Sequence, residues 1–141
     1  MLRLLLCIDG SESSLRAVDY VIKTADRYKE APELHLLNVQ PPLTGDVTMF
    51  IRHDQVQQFH NDEGKKALAG ARKKLDAAKR PYESTVAVGH PAETIVQYAR
   101  EKRCDQIYIG TRGLGPITGM LLGSVTTKVL HLSDLPVLLV K

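Results

Sequence analysis

Five of the ten glycines fall in one segment, Gly110-Thr111-Arg112-Gly113-Leu114-Gly115-Pro116-Ile117-Thr118-Gly119-Met120-Leu121-Leu122-Gly123-Ser124. An apolar run, Ile107-Tyr108-Ile109, precedes it, and Val125, Val129 and Leu132 follow at helical spacing. Strand, glycine-rich loop and helix in that order suit the binding of an anion. Glycines let the backbone turn and come close to a ligand. The start of a helix offers unpaired N–H groups and the positive end of its dipole. Ser124 stands where an N-cap is expected, with a hydroxyl free to face the ligand. Two common phosphate loops fail on spacing. A P-loop needs a Lys before its Ser or Thr, and this segment contains none. A dinucleotide fingerprint starting at Gly113 and Gly115 needs its third glycine where Thr118 stands, and such loops follow a first strand, not a late one. The spacing that holds is Gly110, two residues, Gly113, nine residues, then Gly123-Ser124.

The elements around this loop decide where it would sit. Leu2 to Ile8 is a nearly continuous apolar run, as expected of a strand buried on both faces, and Asp9-Gly10-Ser11 ends it. Ser11 or Ser13 can cap the helix that follows, whose apolar positions run from Leu15 to Tyr28. Leu34 to Val39 is a second strand, interrupted by His35 and Asn38. Residues 43–53 show no period and are expected to form a loop. A long helix is expected from about Asp54 to Ala78, with Gly64 and Gly70 as weak points. Tyr82 to Val88 forms a third strand. Pro91 opens a helix striped with Ile95, Val96 and Ala99. Ile107 to Ile109 is the fourth strand and Val137 to Val140 the fifth. Strict alternation of strand and helix predicts an α/β fold, one open five-stranded parallel sheet with helices on both faces. With strand order 3-2-1-4-5, the order reverses between strands one and four, and ligands bind beyond the carboxyl ends of the strands at that point. Ile8-Asp9-Gly10 and the Gly110 loop would meet there.

Composition narrows the class. The chain has 141 residues, expected to form one domain over 1–141, with 43 % apolar and 25 % charged residues. A net charge of +3 with interspersed signs gives no footprint for nucleic acid. The two cysteines, Cys7 and Cys104, sit in or beside apolar runs and are expected as buried free thiols; they show no metal-binding spacing. The first apolar run is too short for a membrane span, so a cytoplasmic protein without membrane partners is expected.

The glycine spacing resembles the ATP-binding signature of the universal stress protein family, and the resemblance extends over nearly the whole chain. Leu6-Cys7-Ile8-Asp9-Gly10-Ser11 is similar to the family's first strand, and Leu36-Leu37-Asn38-Val39 to its second. Gly89-His90-Pro91-Ala92-Glu93 and the terminal Pro136-Val137-Leu138-Leu139-Val140 also match; residues 43–60 are the least typical. The resemblance implies a fold like that of the adenine nucleotide alpha hydrolases and ATP, with Mg²⁺, as ligand. It implies Asp9 beside the adenosine and Val39 in the adenine pocket. Gly110, Gly113, Gly123 and Ser124 would hold ribose and phosphates, together with Val125 and Thr126. Cys7 and Ile109 would be walls of the site, Ile8 would belong to it beside Asp9, and Gly89 would let the backbone approach the nucleotide. Asp9 has a second reading, as a helix-start carboxylate favoured by the dipole. Arg112 either neutralises a phosphate or is an exposed loop arginine.

These features favour an ATP-binding stress-response regulator over an enzyme. Asp9-Gly10-Ser11-Glu12-Ser13-Ser14 lacks the S-G-G-x-D-S loop of adenylating enzymes, and no paired acids for metal follow strand one. No G-x-S-x-G elbow surrounds Ser124. ATP-hydrolysing or nucleotidyl-transferring chemistry is the alternative. Val137 to Val140 would form an apolar sheet edge, and such edges are usually covered or paired; the resemblance implies a homodimer through residues 137–140.

Overall fold

The computed structural model describes residues 1–111 and 122–141. One sheet organises them. Its strands are β1 (Arg3–Cys7), β2 (Glu33–Gln40), β3 (Tyr82–Val88), β4 (Gln106–Gly110) and β5 (Val137–Val140). All neighbouring pairs are parallel and the order is β3-β2-β1-β4-β5, as the alternation of elements predicts. The helices are α1 (Glu12–Thr24), α2 (Gly45–Thr48), α3 (His53–Ala77), α4 (Pro91–Glu101) and α5 (Ser124–Leu132).

The alternation of side chains along each strand divides the core into two layers. Leu4 and Leu6 of β1 and Leu34 and Leu36 of β2 pack with Val18 and Val21 of α1 and with Leu68, Ala71 and Leu75 of α3. Leu5 and Leu37, with Ile107 and Ile109 of β4, face the other way, against Ile95 and Ala99 of α4 and Val129 of α5. Every β1 residue from Leu4 to Leu6 is at most 1 % exposed, which explains why the centre of this strand is an uninterrupted apolar run instead of an alternating one.

In this half of the chain, local details depart from the sequence reading at α2, at the end of α1 and at the end of β1. Residues 43–53 contain one helical turn, α2, before α3 begins at His53. The first helix ends at Thr24 and finishes in a 3₁₀ turn, Ala25–Arg27, so its α-helical part is shorter than the apolar stripe suggested. The first strand runs over Arg3–Cys7, and Ile8 leaves the ladder while its N–H still donates to the Leu37 carbonyl at 2.8 Å. Gly10 then turns the chain at φ +85°, a conformation that side-chain-bearing residues rarely adopt, and brings it into α1. Ser11 is the N-cap of α1: its hydroxyl accepts from the Ser14 N–H at 3.1 Å.

Candidate functional site

Parallel register sets the floor of a cleft at the carboxyl end of the sheet. Cys7 pairs with Leu37 on one side and with Ile109 on the other, so three side chains of one row end on the same face. A cleft of about 240 Å³ opens above them. The ends of β1 and β4 supply Ile8, Asp9 and Gly110; β2 supplies Asn38 and Val39; α4 supplies Pro91 and Ile95; and the start of α5 supplies Ser124, Val125 and Thr126, with Gly123 before it. The site lies between β1 and β4, where the strand order reverses.

Asp9 lies at the mouth in a fixed orientation. Its Oδ1 accepts from the Ser11 N–H at 2.9 Å and from the Ser11 hydroxyl at 2.5 Å. Partial burial opposes its charge, but the Ser11 hydrogen bonds, with help from Ser14, outweigh that penalty and hold the carboxyl below its ordinary range. A carboxylate has about four lone-pair positions, so Asp9 keeps acceptor capacity for hydroxyl donors. Its lowered pKa has a sign. The stabilisation is fully present above the ordinary carboxylate range and is lost as pH falls through the lowered folded value. An Asp9→Asn variant is therefore expected to lose less stability between neutral pH and acid than the wild type. Urea unfolding across that range checks this, and parallel acid limbs for the two proteins would refute it.

The phosphate-suited end is the first turn of α5. The Thr127 N–H donates to the Gly123 carbonyl at 3.0 Å, the first bond of the helix, which leaves the N–H groups of Ser124, Val125 and Thr126 outside the helical ladder. No side chain caps this end, and no acidic residue stands in its first turn. Here the structure corrects the sequence reading: Gly123 takes the N-cap position and Ser124 is the first helical residue. A Ser124 hydroxyl at that place does not cap the helix, and the exposed backbone dipole is left for something else.

Ten of the sequence-predicted residues line this cleft: Cys7, Ile8, Asp9, Val39, Ile109, Gly110, Gly123, Ser124, Val125 and Thr126. Gly89 does not. It follows β3, its N–H donates to the Gln40 carbonyl at 3.0 Å, and a side chain at its place would run into Thr94 of α4. Arg112 and Gly113 lie outside the described residues. The sequence reading missed Ser14, Leu37, Asn38, Pro91 and Ile95. Asn38 had a visible signal, a polar residue inside a buried strand. Its Nδ2 donates to the Ile8 carbonyl at 2.8 Å and its Oδ1 accepts from Gln40 Nε2 at 2.7 Å, so it fastens the end of β1 to β2 beneath Asp9.

Two titratable side chains line the described part of the cleft, Asp9 and Cys7. Cys7 is half-buried, not fully buried as its sequence suggested, whereas Cys104 is buried; burial, and then the charge of Asp9, push the Cys7 thiol far up, so it stays protonated at neutral pH. Among the described residues no group of three His, Cys, Asp or Glu is placed to hold a metal ion, and no helix is long and apolar enough to cross a membrane.

The family model described as Universal stress protein family matches residues 1–141. The chain belongs to the universal stress protein family. Universal stress protein YxiE of Bacillus subtilis (strain 168) is 32 % identical to it, over 99 % of this chain and 98 % of that one. The solved structure of MJ0577, a universal stress protein of Methanocaldococcus jannaschii, superposes with a TM-score of 0.78 at 29 % identity, covering 99 % of this chain and 94 % of that one. A universal stress protein solved in complex with cAMP superposes with a TM-score of 0.72 at 31 % identity, over 99 % of this chain and 97 % of that one. The strand order and the two helical layers described above are thus those of a universal stress protein fold.

Proposed function

We propose that this universal stress protein domain, residues 1–141, binds an adenine nucleotide in the switch-point cleft and acts as a nucleotide-responsive regulator. The observation that carries the reading is the presence of two complementary groups in the lining of one cleft. Asp9 offers acceptors, and the uncapped start of α5 offers donors. A nucleoside phosphate matches that polarity: ribose hydroxyls donate to the carboxylate, the base lies among Val39, Ile95 and Ile109, and the phosphates meet the helix N-terminus. The relative solved with cAMP supports an adenine nucleotide as the ligand class. ATP is the specific ligand proposed, with Gly113 and Arg112 completing the phosphate end. Magnesium would enter held by the phosphates and water, since the described cleft offers Asp9 as its one carboxylate. With a protonated Cys7 and a hydrogen-bonded Asp9, the described lining supplies recognition groups and no general base beyond Asp9, which favours a regulator over an ATP-hydrolysing enzyme. The edge position of β5 supports a homodimer formed through residues 137–140.

Calorimetric titration of nucleotide-free protein with ATP, ADP, AMP and cAMP, with and without Mg²⁺, tests the binding. Saturable binding is expected for wild type and its loss for Val39→Trp, which fills the apolar end. Absence of binding to all four nucleotides by folded wild-type protein would sink the assignment. Steady phosphate release from ATP would replace the regulator with an enzyme, and sedimentation of the same sample as a monomer would remove the dimer.

A further inference from the structure

A second cleft, of about 300 Å³, opens on the same face of the sheet but toward the amino end of the strands. It lies between the carboxyl-terminal half of α4 and the turn from α5 into β5. Its floor is apolar: Val96 and Ala99 of α4, Cys104, Ile107 of β4 and Leu135. Ile107 is two residues before Ile109, which floors the nucleotide cleft, so the two sites share a strand and a helix without sharing lining residues.

The rim is cationic on one side. Arg100 and Arg103 both border the opening. Arg100 has a loose ion pair with Asp134, Nη2 to Oδ2 at 3.9 Å. The Arg103 guanidinium has no protein partner among the described residues. Arg103 also has an unusual backbone. It follows α4 at φ +54°, while the Cys104 N–H closes the helix end on the Ala99 carbonyl at 2.8 Å. A glycine would hold this left-handed position at less cost, on the order of 1 kcal/mol. Burial pushes the Cys104 thiol up to about 11, so the floor carries no thiolate that would repel an anion. Ser133 does not compete for a ligand, because its hydroxyl is taken by the turn, donating to the Leu135 carbonyl at 3.0 Å and accepting the Leu135 N–H at 2.9 Å.

We propose that this cleft binds a small amphipathic carboxylate, its hydrocarbon body on the Val96–Ile107–Leu135 floor and its head group on Arg103. Asp134, paired with Arg100, also borders the opening and opposes an anionic head group, which limits the ligand to one charge placed at Arg103.

Octanoate is the probe and octanol its uncharged control. Methyl NMR of the full chain is expected to show saturable shifts at Val96, Ile107 and Leu135 with octanoate, unaffected by saturating ATP. Arg103→Gly relieves the left-handed strain, so its melting temperature should hold or rise while octanoate affinity falls at least tenfold. Asp134→Asn should tighten binding. Equal octanoate affinity in Arg103→Gly, equal binding of octanol, or shifts centred on Val39, Ile95 and Ile109 would each overturn the proposal. The last outcome would place octanoate in the nucleotide cleft and leaves the nucleotide reading to its own titration.

Discussion

Gly110→Ala is expected to destabilise the protein by at least about 3 kcal/mol, the upper end of the range for overpacking a core. A Cβ added at Gly110 would run into the backbone carbonyl of Ser13, and the Ser13 hydroxyl stands next to it. Neither side can yield cheaply. Gly110 belongs to β4, held between β1 and β5, and Ser13 is in the first turn of a capped helix. The Ser13 hydroxyl also donates to the Thr111 carbonyl, a bond joining the start of α1 to the exit of β4, and both residues are buried. Pushing the two segments apart would break that bond as well. A fall in melting temperature on the order of 10 °C should accompany the loss. Gly70→Ala is the comparison. There the nearest atoms are the flexible end of Leu15, and the helix gains from losing a glycine, so the change should stay within about 1 kcal/mol. If Gly110→Ala melts with the wild type, the close approach of α1 to β4 is not what this glycine serves.

That expectation changes the meaning of a residue the sequence had made prominent. The spacing of Gly110, Gly113 and Gly123 reads as a ligand motif, and Gly110 does line the cleft. Its tightest constraint is nevertheless a helix packed on its back, made by a residue about a hundred positions away. Nothing local in the chain records that contact. Gly64 is similar: read alone it weakens a long helix, but its missing side chain lets α3 press on Val86 of β3. The fold was legible because its signals are local. Leu4, Leu5 and Leu6 must be buried on both faces, and alternating strands and helices leave few topologies for such a strand. The site was legible where it consists of strand ends and the helix start beside the motif. Pro91 and Ile95 were not, and the polar signal of Asn38 did not by itself reveal a role, because their place in the cleft depends on register and helix docking. Asn38 becomes meaningful only once parallel pairing sets it beside the Ile8 carbonyl, and Ile95 looks like any other residue of an apolar stripe. The cap of α5 shows the limit of local reading at one-residue resolution. Gly123 and Ser124 are both acceptable N-caps, and the choice between them decides whether a serine hydroxyl or bare backbone faces the ligand.

Ser124→Glu should therefore move stability and binding in opposite directions. Ser124 is exposed at the first position of α5, so a longer side chain has room there. With no acidic residue already in that turn, a carboxylate complements the helix dipole and should raise stability by about 0.3–1 kcal/mol. The same charge would stand where the nucleotide phosphates are proposed to sit. Two like charges about 5 Å apart at a protein surface repel by roughly 1–3 kcal/mol, so ATP affinity should fall ten- to hundredfold. Charge is the variable, so Ser124→Gln should lie near the wild type in both measurements. The penalty should also grow with phosphate charge, with cAMP losing less affinity than ATP. Calorimetric titration and thermal melts of the three proteins give both readouts. A stabilised Ser124→Glu protein that binds ATP as the wild type does would place the phosphates away from α5. Equal losses for cAMP and ATP would point to a steric effect of the longer side chain. A graded loss beside a raised melting temperature ties the charge of the ligand to the open end of this helix.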